Sequence, residues 1–345
     1  MAIWLAALLA LAWFGRHGSY GLALWARWDS GWFLRIAEHG YASREGTAAF
    51  FPAYPGLVAI LGRVFLGHYA LAGITVSLAS CAVAFVLLWR LAQERLGRDG
   101  SFRTVLYLAV FPVSLFLQAV YSEALYLAAV LAAFSLAERG RWTWAGLAAA
   151  LALLTRSAAV ALLAALVVLA WPDLRRAAWL LLAPLAFLAF PLVLWRQIDE
   201  PWAFLHAQAQ WEREWSWAGP LGGLWEGVAK VGNDVESYTH AQSVAINVEG
   251  LVFCALFIVL AVLTWRWFGA VYGVFAAVSL ALPLSTPAGD FPLLSLPRFG
   301  LVVFPFFLVL ARVGERPRAH AAIVALSALG LGIAIAEWAT YEWVA

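Results

Sequence analysis

Residues 142–171, WTWAGLAAALALLTRSAAVALLAALVVLAW, form one apolar tract whose single charge is Arg156. Read as a continuous α-helix, the tract extends about 45 Å at 1.5 Å per residue, against a hydrocarbon core of about 30 Å. It would also hold a guanidinium inside an apolar helix, which is costly. Two short helices meeting at LLTRSA remove both difficulties and bring Arg156 to a membrane face. The choice sets the direction of all that follows. One helix would place Arg175, Arg176 and RVGERPR (312–318) on the outer side. Two helices keep them with Arg90, Arg95, Arg98, Arg103, Arg139, Arg141 and Arg266, as the positive-inside rule requires, so two helices are expected.

The rest of the chain fits that reading. Of 345 residues, 64% are hydrophobic and 12% charged, and mean hydropathy is +0.84; soluble domains carry about 25% charged residues. The expectation is an all-α polytopic membrane protein, 1–345 as a single domain, with about eleven transmembrane helices. Apolar runs place them near 2–22, 68–90, 102–119, 123–138, 142–155, 157–171, 177–196, 248–266, 268–285, 299–312 and 319–339. The first is read as a retained span, because it lacks a basic n-region and a small-residue cleavage site. Two outer segments result, 23–67 and 197–247. The second carries Trp202, Trp211, Trp215, Trp217 and Trp225, a composition suited to the membrane interface. A net charge of +2 gives no basic footprint for nucleic acid. Lys230 is the only lysine among 22 basic residues, a bias that points to a GC-rich bacterial genome and so to the bacterial inner membrane.

Charged residues cluster where the first span ends, in RWDSGWFLRIAEHGY (27–41). Ser30 to His39 is expected to form a short interfacial helix ended by Gly40. Trp32, Phe33, Ile36 and Ala37 share one face and Arg35, Glu38 and His39 lie opposite. Asp29 then reads either as the helix N-cap or as a general base at the outer membrane surface. Residues 50–67 are too short to cross and are expected to form a second interfacial helix. Glu123 begins a helix at the outer face, where the dipole favours an acid. Arg298, at the outer start of an apolar run, reads as a snorkelling residue or an anion ligand. Glu45 lies in a polar turn. His39, His68, His206 and His240 show no metal-ligand spacing, and Cys81 and Cys254 sit in apolar runs as packing residues.

The stretch 27–41, followed in order by AFFPAYP (49–55), YSEALY (121–126), TRS (155–157) and PRFGLVVFP (297–305), resembles the PIG-V family. These are GPI-type mannosyltransferases of the GT-C class of membrane glycosyltransferases, and this chain looks like a bacterial relative. The resemblance implies a GT-C-like helix bundle and a polyprenyl-phosphate-mannose donor. It also implies transfer with inversion to a glycan, glycolipid or glycoprotein acceptor on the extracytoplasmic side. An acid early in the first outer loop acts as base in this class, and the matching position is Asp29. Arg27, Trp28, Glu38, His39 and Tyr41 fall in the same motif, with Glu45, Tyr121 and Glu123 as supporting residues. The family tends to carry Glu-His where this chain has Gly31-Trp32 and Glu45-Gly46, which bears on acceptor recognition.

The chemistry matches the residue types. Displacement at an anomeric carbon needs one base and a stabilised leaving group. Phosphate is already a good leaving group, so one carboxylate plus arginine suffices, unlike the two carboxylates of a glycosidase. Asp29 is expected as base and Arg156 with Arg298 as ligands of the donor phosphate. No cofactor is expected, with a divalent ion at Asp29 and Glu45 or Glu123 the alternative. Other readings are a transferase of another polyprenyl-linked sugar, a transporter or lipid flippase, and a scaffold subunit. A transporter more often shows matched repeats and mid-membrane polar groups.

Overall fold

In the computed structural model, residues 21–42, 46–171, 173–236 and 241–344 are described, and they are helical apart from turns and one isolated antiparallel bridge, Arg213 to Ala288. The expected span 2–22 and Glu45 fall outside these residues, save for positions 21 and 22.

Helix α1, Ser30–His39, buries Phe33, Ile36 and Ala37 and ends at Gly40, whose φ is +82°. It packs on α2, Ala53–Val64, where the Phe33 ring stands 5.0 Å from that of Tyr54. Helix α3 runs from Tyr69 to Val110 with a break at Gly97, φ +69°, a backbone state that glycine alone enters at little cost. The expected span 102–119 therefore stops nine residues early. Pro112 cannot continue a helix, and residues 111–122 proceed as turns and a short 3-10 segment, Ser114–Leu117, mostly buried. Irregular backbone at membrane depth survives only inside protein. Here the Val120 N–H donates to the Trp25 carbonyl at 3.0 Å, and Ser77 Oγ donates to the Tyr121 carbonyl at 3.3 Å.

Helix α4, Glu123–Glu138, is apolar on all sides and buried on nearly all of them, as a core helix should be. It lies between α3 and α5, Trp142–Thr155. Phe134 on α4 meets the rings of Tyr272, Phe275 and Phe304 at 5.3, 5.4 and 5.3 Å.

The tract 142–171 is two helices. After α5 the backbone of Arg156 is extended, φ −155° and ψ 142°, and α6, Ala159–Ala170, leads back. The following segment, α7, Leu174–Ile198, is thereby set beside the start of α5. A Cβ at Gly146 on α5 would collide with the Trp179 carbonyl, so glycine is what lets α7 approach.

Helices α8 (Pro220–Glu236), α9 (Ala241–Phe268), α10 (Ala270–Leu284), α11 (Leu296–Leu301), α12 (Pro305–Val313) and α13 (Pro317–Thr340) complete the bundle. The expected span 299–312 is thus two pieces, broken between Leu301 and Pro305. Among the described residues, four helices are long and apolar enough to cross a membrane: α3, α7, the 243–268 part of α9, and α13. The shorter apolar helices α2, α5, α6 and α10 accompany them. Replacing Gly146 by leucine should lower stability by about 1–3 kcal/mol through overpacking. Thermal unfolding of the purified protein in detergent measures this, and an unchanged Tm would show that α5 and α7 are not held in contact.

Candidate active site

Asp29 occupies the N-cap position of α1, but its side chain makes no capping hydrogen bond. The cap is unnecessary because a turn precedes the helix. Trp28 adopts φ +54°, and the amides of Ser30 and Gly31 find the carbonyls of Arg27 and Trp28 at 3.1 and 3.0 Å. Capping as a role for Asp29 is therefore corrected: the carboxylate is released for other work. Its Oδ2 accepts a hydrogen bond from Arg298 Nη1 at 2.7 Å, while no described residue donates to Oδ1.

Glu123 opens α4 as the sequence implies, but it is a buried ion and not a surface acid at a helix end. Its side chain is 1% exposed, and Oε1 is shared by Arg156 Nη1 at 2.5 Å and Arg298 Nε at 3.5 Å. Arg298 is not the isolated, snorkelling residue its sequence context allowed: it bridges Asp29 and Glu123. Arg156, held at the turn between α5 and α6, also reaches Ser122 Oγ at 3.3 Å. Side-chain exposures of 17% for Arg156, 12% for Arg298 and 18% for Asp29 place the group just below the surface. Such pairs in a low dielectric stand on their geometry, since each ion alone would be costly there.

Sequence reasoning missed Arg213. It lies in the second outer segment, in a short extended stretch paired with the loop before α11. Its guanidinium donates to the carbonyls of Thr286 and Leu294 at 3.1 and 2.9 Å. It has no carboxylate within ion-pair distance among the described residues. Burial and then the neighbouring Arg298 push its pKa down to about 10, partly offset by Asp29. Arg156, Arg213 and Arg298 all face the Phe299 ring, at 5.8, 5.4 and 5.9 Å from its centroid.

Tyr121 supports the group from below. Its hydroxyl accepts from the Asp29 amide at 3.1 Å and donates to the Arg27 carbonyl at 3.2 Å, and its ring lies 5.5 Å from the Arg298 guanidinium. The other expected residues stand apart. Arg27 is buried, donates to the Trp338 carbonyl and lies over the Tyr341 ring, so it ties the α1 turn to α13. Trp28 packs edge-on against Trp343 at 5.2 Å. Glu38 and His39 form an exposed pair 4.0 Å apart at the far end of α1. The Tyr41 hydroxyl donates to the Phe50 carbonyl at 2.8 Å within a separate apolar cluster. No group of three or more His, Cys, Asp or Glu side chains among the described residues could hold a metal ion.

Chemically, three guanidiniums face two carboxylates, Asp29 and Glu123, and leave one positive charge. Two buried atoms at the centre, Arg298 Nε and Glu123 Oε2, lack hydrogen-bond partners. Buried polar atoms are normally satisfied. Arg298 Nε lies within ion-pair distance of Glu123 Oε1, at 3.5 Å, without hydrogen-bond geometry, so this contact is incompletely satisfied.

The described helices are those of a multi-pass membrane protein of the GT-C fold. Over 97% of its length the chain superposes on ArnT from Cupriavidus metallidurans, whose crystal structure holds undecaprenyl phosphate. The TM-score is 0.57 at 15% identity, and 64% of that chain is covered. Within this fold, residues 19–173 match the family model Mannosyltransferase (PIG-V), in agreement with the resemblance carried by residues 27–41. The chain is also similar to human GPI alpha-1,6-mannosyltransferase 2, with 37% identity over 130 residues. That stretch is 34% of this chain and 26% of the human protein. The rat protein of the same name is 37% identical over 145 residues, 38% of this chain and 29% of its own length. The similarity thus spans little more than a quarter of these relatives. The family-model match contains Asp29, Glu123 and Arg156, whereas Arg213 and Arg298 lie beyond it.

Arg156→Ala leaves the Glu123 carboxylate half-paired in a buried site and should cost about 3–5 kcal/mol. Glu123→Gln in the same background should restore part of that loss. A double-mutant cycle of thermal stability measures the coupling, and simple additivity would mean the pair is not formed.

Proposed function

We propose that the protein is an inverting mannosyltransferase of the extracytoplasmic membrane face, taking mannose from a polyprenyl-phosphate-mannose donor. The observation that carries this reading is the charge arrangement around Phe299: three guanidiniums against two carboxylates, with Asp29 Oδ1 open. The PIG-V match supports the sugar and the transfer chemistry, and the undecaprenyl phosphate bound by ArnT supports a lipid-linked phosphate. The acceptor is a glycan, glycolipid or glycoprotein outside the bacterial inner membrane.

In this scheme the donor phosphate takes the surplus positive charge of Arg213 and the open Nε of Arg298. Arg156 holds Glu123 in place, and Glu123 Oε2 is left to receive a hydroxyl of the sugar. Asp29 Oδ1 accepts the proton of the acceptor hydroxyl as its oxygen attacks the anomeric carbon. The bond from that carbon to the phosphate oxygen breaks on the opposite side, so configuration inverts and polyprenyl phosphate departs with its charge held by arginine. The ion pair with Arg298 keeps Asp29 aimed until substrate arrives. No metal or cofactor is needed for these steps, since arginine supplies the positive charge.

Two measurements test this. Transfer of labelled mannose from polyprenyl-phosphate mannose, in membranes with equal protein, should fall about 10²–10⁴-fold for Asp29→Asn with donor binding retained. Transfer near the wild-type rate would remove Asp29 as base. Arg213→Gln should weaken donor binding about 10–100-fold, the worth of a hydrogen bond to a charged group. Binding within twofold of wild type would remove Arg213 from the phosphate site.

A further inference from the structure

A second basic site lies at the other membrane face, where α5 begins. The α5 helix rises about 20 Å from Trp142 to Thr155, so the cleft is a helix length away from Arg156 and the acid–arginine group. The cleft measures about 590 Å³ and is walled by Arg141, Trp142, Trp144, Arg175, Arg176 and Trp179. Arg176 is paired with Asp173 at 3.2 Å. Arg139 turns away to Glu94 at 2.8 Å. Arg141 and Arg175 have no carboxylate within ion-pair distance among the described residues, which leaves the cleft with two uncompensated positive charges.

Four further features point to a ligand for this charge. The first turn of α5 opens on the cleft with no side-chain cap on its amides, and a helix N-terminus attracts anions. Trp142 is buried at 5% exposure, and its indole Nε1 has no hydrogen-bond partner. Trp144 and Trp179 are 62% and 46% exposed, as tryptophans at a bilayer interface are. Above the cleft, Leu181, Leu185 and Leu188 on α7 are exposed in a stripe at helical spacing, a path for acyl chains.

We propose that this cleft binds the phosphate head group of an anionic phospholipid, from the leaflet opposite the one that faces Asp29. The uncapped amides, the Trp142 N–H and two unpaired guanidiniums take the phosphate oxygens, and the leucine stripe takes the chains. Basic pockets between membrane helices are suited to such head groups. The bound lipid braces the junction of α4, α5 and α7, whose close contact depends on Gly146. This inference stands whether or not the chain transfers mannose.

Thermal unfolding in a zwitterionic detergent, titrated with phosphatidylglycerol, phosphatidylcholine of the same chains, or inorganic phosphate, decides it. Phosphatidylglycerol should raise the Tm saturably in wild type, with the other two giving little. Arg141→Gln with Arg175→Gln should weaken the response about fivefold per arginine, the double lysine variant should keep most of it, and polyprenyl phosphate should bind both as it binds wild type. Equal protection by phosphatidylcholine, full protection by inorganic phosphate, or an unaltered response in the double glutamine variant would each overturn the proposal. Should that variant fail to fold, Trp142→Phe removes only the open N–H; a severalfold loss of phosphatidylglycerol affinity supports the site and an unchanged affinity refutes it.

Discussion

The Glu123 carboxylate, 1% exposed and shared between Arg156 and Arg298, is the constraint on which this fold turns. An ion at that depth is tolerable only if its partners arrive together. Arg156 arrives because the chain reverses between α5 and α6; Arg298 arrives because the loop before α11 is pinned by Arg213. Asp29 then completes the second pair from the start of α1. Two segments close on the acid directly, and two more join it through Arg298 and its loop.

The same helix is anchored at its other end by a different acid. Glu138 accepts hydrogen bonds from Arg95 and Tyr272, both at 2.6 Å. Between the two acids α4 is apolar and packed on every side, which makes it a rigid axis. Asp29 and Arg213 reach toward this helix from the start of α1 and from the second outer segment. Under the proposed function, this sets a fixed charge at the centre and brings the proposed base and phosphate ligand in from the rim.

What the sequence reveals and what it hides follow from the range of the forces involved. The reversal at Arg156 was legible because helix length, membrane thickness and the cost of a buried arginine all conflict with a single span. Helix α1 and its glycine stop were legible from a local apolar face and a φ that only glycine accepts. The end of α3 at Val110 was misread, since residues 102–119 have the hydropathy of a span, and only Pro112 argued otherwise. Asp29 was open to reading as a cap because capping is a local rule, and the positive φ of Trp28 that makes the cap redundant is not. The pairing of Asp29 with Arg298 joins residues 269 apart, beyond any periodicity. Arg213 was hidden between Glu212 and Glu214, a pattern that looks solvated. Glu212, whose φ is +54°, turns the chain, and Arg213 goes inward while Glu212 and Glu214 stay exposed.

The proposed function requires the surplus guanidinium charge beside Asp29 to hold a lipid-linked phosphate. An experimental structure of the full chain in lipid with polyprenyl phosphate added is the most direct test. Phosphate oxygens are expected at hydrogen-bond distance, about 3 Å, from Arg213 and from Arg298 Nε, with Asp29 facing the space beside them. Phosphate bound elsewhere, with the Asp29–Arg298 pair closed and Arg213 still bonded only to backbone carbonyls, would contradict it.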